Sequence, residues 1–168
     1  KKINFIKFRE PGGTSSSEKI RKLILSNKSN FHQITDLFLY FASRNENLEK
    51  IIKKNYGKKI ILIDRFVDST IAYQHYGMGI NLKFINFINS FFTKNIKINL
   101  TFLNLVNSNN LRLRLTKRKK LNRYDKFKIN FYNKVQKGYL KLSKNNKKKY
   151  IIINSNETIS YNKKKILT

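Results

Sequence analysis

The sequence predicts an α/β fold with a parallel sheet, and two observations lead to this prediction. Short Ile-rich runs such as Ile60–Ile63 are typical of strands buried on both faces of a parallel sheet. Segments with apolar residues at helical spacing separate these runs, as expected for strands joined by helices. No internal repeat or linker divides the chain, so residues 1–168 are predicted to form a single domain.

The first predicted elements are a strand, a tight turn and a helix. Residues 3–8 alternate between apolar and polar side chains and predict a short strand. The sequence Glu10-Pro11-Gly12-Gly13 ends it, because Pro lacks an amide donor and Gly permits left-handed geometry. Thr14 or one of the following serines can cap a helix that runs to about Leu25, with Glu18 in its first turn.

The next predicted elements are a long helix, a strand and a broken helix. Apolar side chains recur every three or four residues from Ile34 to about Asn55, and Gly57 ends this helix. The strand of residues 60–63 follows, and a helix begins near Ser69 and is broken by Gly77 and Gly79. The remaining predicted elements are a helix over 82–92, a strand over 98–105, a helix over 107–115, a mobile basic loop over 116–125, a helix over 127–142 and a strand over 150–154. The tail from residue 157 is weakly patterned.

The charge balance is extreme, with 37 basic against 9 acidic residues and a net charge of +28. Such a charge raises nucleic acid as a partner. However, the basic residues are spread along the whole chain, and Asn and Ile are also abundant, which indicates a composition bias as well. The absence of Cys excludes disulfides and thiolate metal sites. The sequence shows no apolar stretch long enough to span a bilayer and no signal-peptide pattern, so we expect no membrane partner. The lack of Cys fits a reducing compartment, and we expect the protein to be cytoplasmic.

Charged side chains directly follow the buried strand of residues 60–63. Asp64 and Arg65 lie where ligands bind in open α/β sheets, beyond the carboxyl ends of the strands. An acid there can hold Mg²⁺ or its waters, and an Arg can clamp a phosphate group. The alternative is an internal ion pair that closes the strand end.

Arginine is scarce among the basic residues, since only eight of the 37 are Arg. Its planar fork binds phosphate or carboxylate bidentately, so its positions are informative. Arg9 and Glu10 end the first strand. Tyr40 and Arg44 share one helix face and could form a platform for a base, although such pairs are also common at the edge of a core. Four further arginines crowd the basic loop and the helix before it, as expected of a lid over phosphates: Arg112, Arg114, Arg118 and Arg123.

Taken together, these motifs resemble the bacterial thymidylate kinase family over nearly the whole chain. FREPGGTSSSEKIRKLIL resembles that family's second strand, turn and helix, LFLYFASR its base-binding helix, and IDRFVDSTIAYQHYGMGI its third strand and following helix. LRLRLTKRKKLNRYD resembles the lid, and FYNKVQKGYLKL the helix after it. The resemblance implies a P-loop-kinase-like three-layer α/β/α fold with a parallel sheet, and phosphoryl transfer from ATP to dTMP, giving dTDP for dTTP synthesis.

The resemblance implies roles for five residues around the nucleoside. Tyr40 stacks on thymine and Arg44 binds the edge of the base. Thr70 and Gln74 also face the base. Tyr73 crowds the sugar and favours deoxyribose.

The resemblance also implies how the phosphates are held. Arg21 and Arg65 hold the monophosphate, Glu10 lies near the acceptor, and Asp64 helps to organise Mg²⁺. The lid residues Arg118 and Arg123 bind the donor side and stabilise the transferring phosphoryl group. A homodimer is also implied.

One family feature is absent, because no segment matches the P-loop pattern G-x-x-x-x-G-K-[ST]. We therefore expect either a fragment of a longer protein or a chain that has lost its donor site, and we expect the first strand, P-loop and first helix to be lacking. Such a chain would form a sheet without its central strand and transfer no phosphate by itself. The lid departs from the family at Asn122 and Asp125. The alternatives are a kinase for another base, a catalytically incomplete relative, or a basic nucleic-acid-binding protein.

Overall fold

The computed structural model describes residues 3–167. The chain divides into two compact units, one ending at Lys97 and the other beginning at Ile98. Each unit has its own pair of parallel strands and is described by itself. The single domain expected from the sequence stays a prediction.

The first half of the N-terminal unit follows the predicted order closely. Its elements are β1 (Phe5–Arg9), α1 (Ser15–Leu25), α2 (Gln33–Asn47), a π-helical segment (Leu48–Ile52) and α3 (Lys53–Asn55). The predicted cap of α1 is confirmed, because the Thr14 hydroxyl accepts a hydrogen bond from the Ser17 amide at 3.1 Å. The helix predicted over 34–55 is thus present, with a π-helical turn that the sequence pattern did not indicate.

The second half of this unit contains the strand end singled out by the sequence. Its elements are β2 (Ile60–Asp64), α4 (Val67–Thr70), a π-helical segment (Ile71–Gly77) and α5 (Leu82–Thr93). The predicted break in the helix that begins near Ser69 is confirmed, because Gly79 has a φ of +85° and lies between the π-helical segment and α5. Asn81 caps α5 by accepting from the Phe84 amide at 3.2 Å.

Parallel pairing of β1 with β2 brings two functional segments together. The register places Phe5 opposite Ile60 and Arg9 opposite Asp64. The Glu10 amide extends the ladder by donating to the Asp64 carbonyl at 2.9 Å. The turn after β1 and the segment after β2 therefore begin side by side.

Helices supply the hydrophobic core of the N-terminal unit. Leu37 and Phe41 of α2 pack with Ile80 and Ile85, and all four side chains are buried. The Phe41 ring also stacks on Phe92 of α5, with 5.9 Å between the ring centroids. This packing fixes α2 and α5 relative to each other within the unit, and both helices carry side chains of the candidate site.

The C-terminal unit also contains a parallel pair of strands. Its elements are β3 (Thr101–Leu105), α6 (Ser108–Thr116), a 3₁₀ segment (Arg123–Lys126), α7 (Ile129–Asn145), a second 3₁₀ segment (Lys147–Lys149), β4 (Tyr150–Asn154) and α8 (Ile159–Leu167). Strand β3 pairs with β4, and α7 packs against β3. Helix α8 occupies the tail in which the sequence indicated no clear element, because its side chains are all at least partly exposed and it needs no apolar face.

The four described strands form two two-stranded parallel sheets. Their parallel pairing confirms the predicted α/β class. Within residues 3–167, no helix has the length and apolar character needed to cross a membrane.

Candidate functional site

The turn after β1 is held in place by side chains of α2. Ser43 Oγ accepts from the Gly12 amide at 3.1 Å, and Asn47 Nδ2 donates to the Gly12 carbonyl at 2.7 Å. Asn47 Oδ1 also accepts from the Thr14 amide at 3.3 Å. Gly12 and Gly13 both have a φ of +116°, a conformation that side chains with a Cβ rarely adopt. The turn thus has a defined shape that depends on Ser43 and Asn47, two residues that the sequence analysis missed.

Arg44 is buried at the centre of a polar network. Its side chain is 2% exposed, and its Nε donates to Glu10 Oε2 at 2.8 Å, where Glu10 is 4% exposed. Nη1 donates to Asn89 Oδ1 at 2.8 Å, and Nη2 donates to Thr70 Oγ1 at 2.9 Å. The turn after β1 and helices α2, α4 and α5 thus meet at one guanidinium group. Asn89 is a further residue that the sequence analysis missed.

Arg65 has an uncommon backbone conformation at the end of β2. Its φ is +66°, which only a small fraction of residues other than Gly adopt and which often marks functional sites. Its guanidinium carbon lies 5.1 Å from the centroid of the Tyr73 ring, and both Asp64 and Arg65 are exposed. The backbone geometry therefore presents a cation next to an aromatic ring at the carboxyl end of β2.

A second arginine adds positive charge beside this strand end. Arg21 Nη1 donates to the Pro11 carbonyl at 2.7 Å, so the side chain reaches from α1 to the turn. Partial burial lowers the pKa of Arg21, and the positive charges of Arg9 and Arg65 lower it further, whereas Glu18 opposes this shift. Arg9 and Arg65 therefore both lie within electrostatic reach of Arg21, an arrangement that favours an anionic ligand.

The residues predicted to surround a base lie in the same unit. Tyr40 is four residues before Arg44 on α2 and is half-buried. Thr70 and Gln74 are 2% and 1% exposed, respectively. Among the described residues, Nε2 of Gln74 has no hydrogen-bond partner although it is buried. These side chains offer an aromatic face together with donors and acceptors suited to a nucleobase edge.

The predicted lid lies in the C-terminal unit, where its side chains form a local network. Arg118 Nη1 donates to Asp125 Oδ1 at 2.5 Å. Asp125 Oδ2 accepts from the Asn122 amide at 3.1 Å, while Asn122 caps the 3₁₀ segment that follows. The guanidinium carbon of Arg123 lies 5.1 Å from the centroid of the Tyr124 ring. The two departures from the family pattern, Asn122 and Asp125, thus form one capping motif, and the mobility of the loop stays a prediction.

Acidic side chains are sparse at the site. Among residues 3–167, no group of three or more His, Cys, Asp or Glu side chains is arranged to hold a metal ion. Asp64 offers one exposed carboxylate at the end of β2. A Mg²⁺ ion that binds mainly through waters and substrate phosphates needs only one or two carboxylates, so Asp64 fits such a site.

The structure places nine of the eleven predicted site residues in the N-terminal unit: Glu10, Arg21, Tyr40, Arg44, Asp64, Arg65, Thr70, Tyr73 and Gln74. Arg118 and Arg123 belong to the C-terminal unit. The individual roles of these residues stay predictions. Of the residues that sequence reasoning missed, Asn47 and Asn89 give no compositional signal in a chain so rich in Asn.

Comparisons with known proteins agree with this geometry. The sequence model of the thymidylate kinase family matches residues 1–166. The chain is 36% identical over 141 residues to the thymidylate kinase of Wolbachia pipientis wMel, covering 83% of this chain and 69% of that protein. It is 37% identical over 152 residues to the thymidylate kinase of Sulfurihydrogenibium sp. strain YO3AOP1, covering 89% of this chain and 74% of that protein.

A solved structure extends the similarity to the fold. The crystal structure of thymidylate kinase from Ehrlichia chaffeensis matches with a TM-score of 0.75 and 29% identity, covering 98% of this chain and 79% of that one. This match confirms the predicted α/β fold of P-loop kinases. Because the family model and the relatives cover most of the sequence, the chain belongs to the thymidylate kinase family of nucleotide kinases.

Proposed function

We propose that the N-terminal unit binds dTMP as phosphoryl acceptor and that the protein transfers a phosphoryl group from ATP to dTMP, giving dTDP. The observation that carries this proposal is the arginine cluster beside the buried Glu10–Arg44 pair. It combines a site for an anion with side chains suited to a base, all within one unit. The proposed substrates are cytoplasmic nucleotides, and we place the enzyme in that compartment.

The phosphate of dTMP is assigned to Arg65 and Arg21. Arg65 is exposed at the end of β2, and Arg21 is anchored to the turn by its bond to the Pro11 carbonyl. Guanidinium groups bind phosphate bidentately, which fixes its orientation as well as its position. Orientation matters because phosphoryl transfer depends mainly on alignment and on stabilising the charge that develops.

The base is assigned to the space bordered by Tyr40, Thr70 and Gln74, with the sugar beside Tyr73. Tyr40 is half-buried and can present a ring face to thymine. Thr70 and Gln74 are held by α4 and the π-helical segment after it, and Thr70 is also bonded to Arg44. These rigid supports favour recognition of one base shape over another.

Charge stabilisation during transfer is assigned to the lid arginines and to Mg²⁺. When bound with the phosphates, Mg²⁺ neutralises negative charge on the transferring group. Asp64 would hold waters of that ion. Arg118 and Arg123 would exchange their present contacts with Asp125 and Tyr124 for the phosphoryl oxygens.

Calorimetric titration of the protein with dTMP and with thymidine tests the acceptor assignment. Arg65→Ala should weaken dTMP binding by about 10- to 100-fold, the worth of a hydrogen bond between charged groups, and leave thymidine binding nearly unchanged. Lys59→Ala is the matched control, since Lys59 is an exposed cation before the start of β2. Equal losses in both variants, or DNA binding with steep salt dependence and no dTMP binding, would favour a nonspecific basic protein.

We also propose that the protein forms a homodimer through one face of α5. Phe84, Phe87 and Phe91 recur at helical spacing and are 37%, 70% and 74% exposed. Phe38, itself 51% exposed, extends the patch by an edge contact with Phe84, with 6.2 Å between the ring centroids. A continuous exposed aromatic patch of this kind is typical of an association surface. Sedimentation velocity should give a dimer, and Phe87→Lys should give a folded monomer.

A further inference from the structure

We propose that Asn89 is a positioning residue that fixes the plane of the Arg44 guanidinium group for acceptor recognition. The effect on nucleotide binding rests on the function proposed above, whereas the effect on Arg44 itself does not. Asn89 lies on α5, outside the motifs that resemble the kinase family, and its side chain is 6% exposed.

Three acceptors define the orientation of Arg44. Nε bonds to Glu10, Nη1 to Asn89 and Nη2 to Thr70, at 2.8, 2.8 and 2.9 Å. A guanidinium group is planar, so a bond at each of its three nitrogens leaves it little freedom to rotate or tilt. Glu10 and Thr70 bind two corners of the group, and Asn89 binds the third.

The chemistry of the guanidinium group determines which atom of the Asn89 amide faces Arg44. Arg44 can only donate, so the amide oxygen of Asn89 must face it, and the amide nitrogen must point away. Among the described residues, that nitrogen, Nδ2, is buried and has no hydrogen-bond partner. A buried donor without a partner is unfavourable, so the amide nitrogen does not explain why an Asn stands here. The hydrogen bond that its oxygen accepts from Arg44 is the contact that an apolar side chain could not make.

The charge of the cluster also favours an amide. Glu10 already balances the positive charge of Arg44 at a site where both side chains are buried. A neutral oxygen satisfies Nη1 without adding a second carboxylate, which would leave excess negative charge in a region of low dielectric.

Orientation of Arg44 has a consequence for the substrate. Three of its five N–H groups are used in the contacts above, which leaves one on each terminal nitrogen. Their directions are set by the plane that Asn89 helps to define. Under the proposed function, these N–H groups distinguish a base with a carbonyl acceptor, as in dTMP, from one with an amino donor, as in dCMP.

The test compares Asn89→Leu, Asn89→Asp and Asn86→Leu in the full chain. Leu keeps the approximate volume and removes the acceptor, while Asp keeps the acceptor. Asn86→Leu makes the same chemical change at an exposed position of α5 and is the matched control. The readouts are the solvent exchange rate of the Arg44 Nε–H by NMR, and the dissociation constants of dTMP and dCMP.

In Asn89→Leu, we expect Arg44 Nε–H exchange to accelerate and dTMP to bind more weakly, each by about tenfold, with less discrimination against dCMP. Asn89→Asp should return the exchange rate to within about twofold of the wild type, since it keeps an acceptor for Nη1. The added buried carboxylate should instead lower the stability of the protein, which the exchange readout does not measure. Asn86→Leu should match the wild type in both readouts.

Unchanged Arg44 exchange in Asn89→Leu would overturn the inference. Equal acceleration in Asn89→Asp would also overturn it, because packing and not the acceptor would then be responsible. If the wild type binds no dTMP, the proposed function fails, and the exchange rates still decide whether Asn89 positions Arg44.

Discussion

The buried Glu10–Arg44 pair should be a large determinant of stability. In Arg44→Met, Glu10 would lose its ion-pair partner at 4% exposure, and the contact that its carboxylate keeps with Asn47 Nδ2 is long, at 3.4 Å. Removing one partner of a buried ion pair typically costs about 3–5 kcal/mol, because it leaves an uncompensated buried charge. A typical domain is stable by only about 5–15 kcal/mol, so this variant should lose a large share of its stability at 25 °C.

Urea unfolding followed by circular dichroism measures this cost, and a double-mutant cycle assigns it. Glu10→Gln alone should cost about as much as Arg44→Met, because it leaves the buried cation unbalanced. The double variant should cost clearly less than the sum, since it removes both charges.

The surface pair Glu49–Lys53 provides the control. Its atoms are 2.5 Å apart, closer than the buried pair at 2.8 Å, but its side chains are 52% and 53% exposed. Glu49→Gln should therefore cost only about 0.5 kcal/mol or less, as for other exposed helical pairs. A loss below about 1 kcal/mol in Arg44→Met, or strict additivity in the cycle, would refute the reasoning from burial.

Three further predictions concern backbone geometry and the lid. Gly13→Ala should lower the urea midpoint more than Gly57→Ala, because a Cβ at Gly13 would meet Asn47 Oδ1 at 2.7 Å whereas one at Gly57 meets no atom within 4 Å. Arg65→Gly should be more stable than Arg65→Ala by about 1 kcal/mol in the same assay, because only Gly adopts a positive φ without strain, and both variants should lose dTMP affinity. Asp125→Ala removes both the capping contact and the Arg118 pair, so hydrogen exchange at residues 122–126 should accelerate by about tenfold while exchange in β3 is unchanged.

Local sequence signals predicted most of the elements. The strand over 150–154 and the cap at Thr14 are confirmed, because short apolar runs and capping hydroxyls act over a few residues. The π-helical segments Leu48–Ile52 and Ile71–Gly77 could not be predicted in this way. They differ from an α-helix in the register of their hydrogen bonds, whereas the spacing of their apolar side chains is nearly the same. Helix α8 was missed because it buries no side chain.

The sequence indicated most residues of the candidate site but not the contacts between them. Resemblance indicated Arg44 as a residue that meets the base, and nothing in the sequence revealed that Glu10, 34 residues away, and Asn89, 45 residues away, bind its guanidinium group. Such contacts depend on the packing of α2 against α5 and on the pairing of β1 with β2. Asn47 was missed for the same reason, since its bonds to the turn span more than 30 residues.

The most direct test of the acceptor site is an NMR titration of the protein with dTMP. We expect backbone amide shifts to concentrate in the turn of residues 10–14, around Arg44, and from Arg65 to Gln74, because these segments border the proposed ligand. Arg21 and Arg65 side-chain signals should shift with dTMP and less with thymidine. Shifts confined to residues 98–167, or no saturable shifts at millimolar dTMP, would contradict the assignment of this unit as the acceptor site.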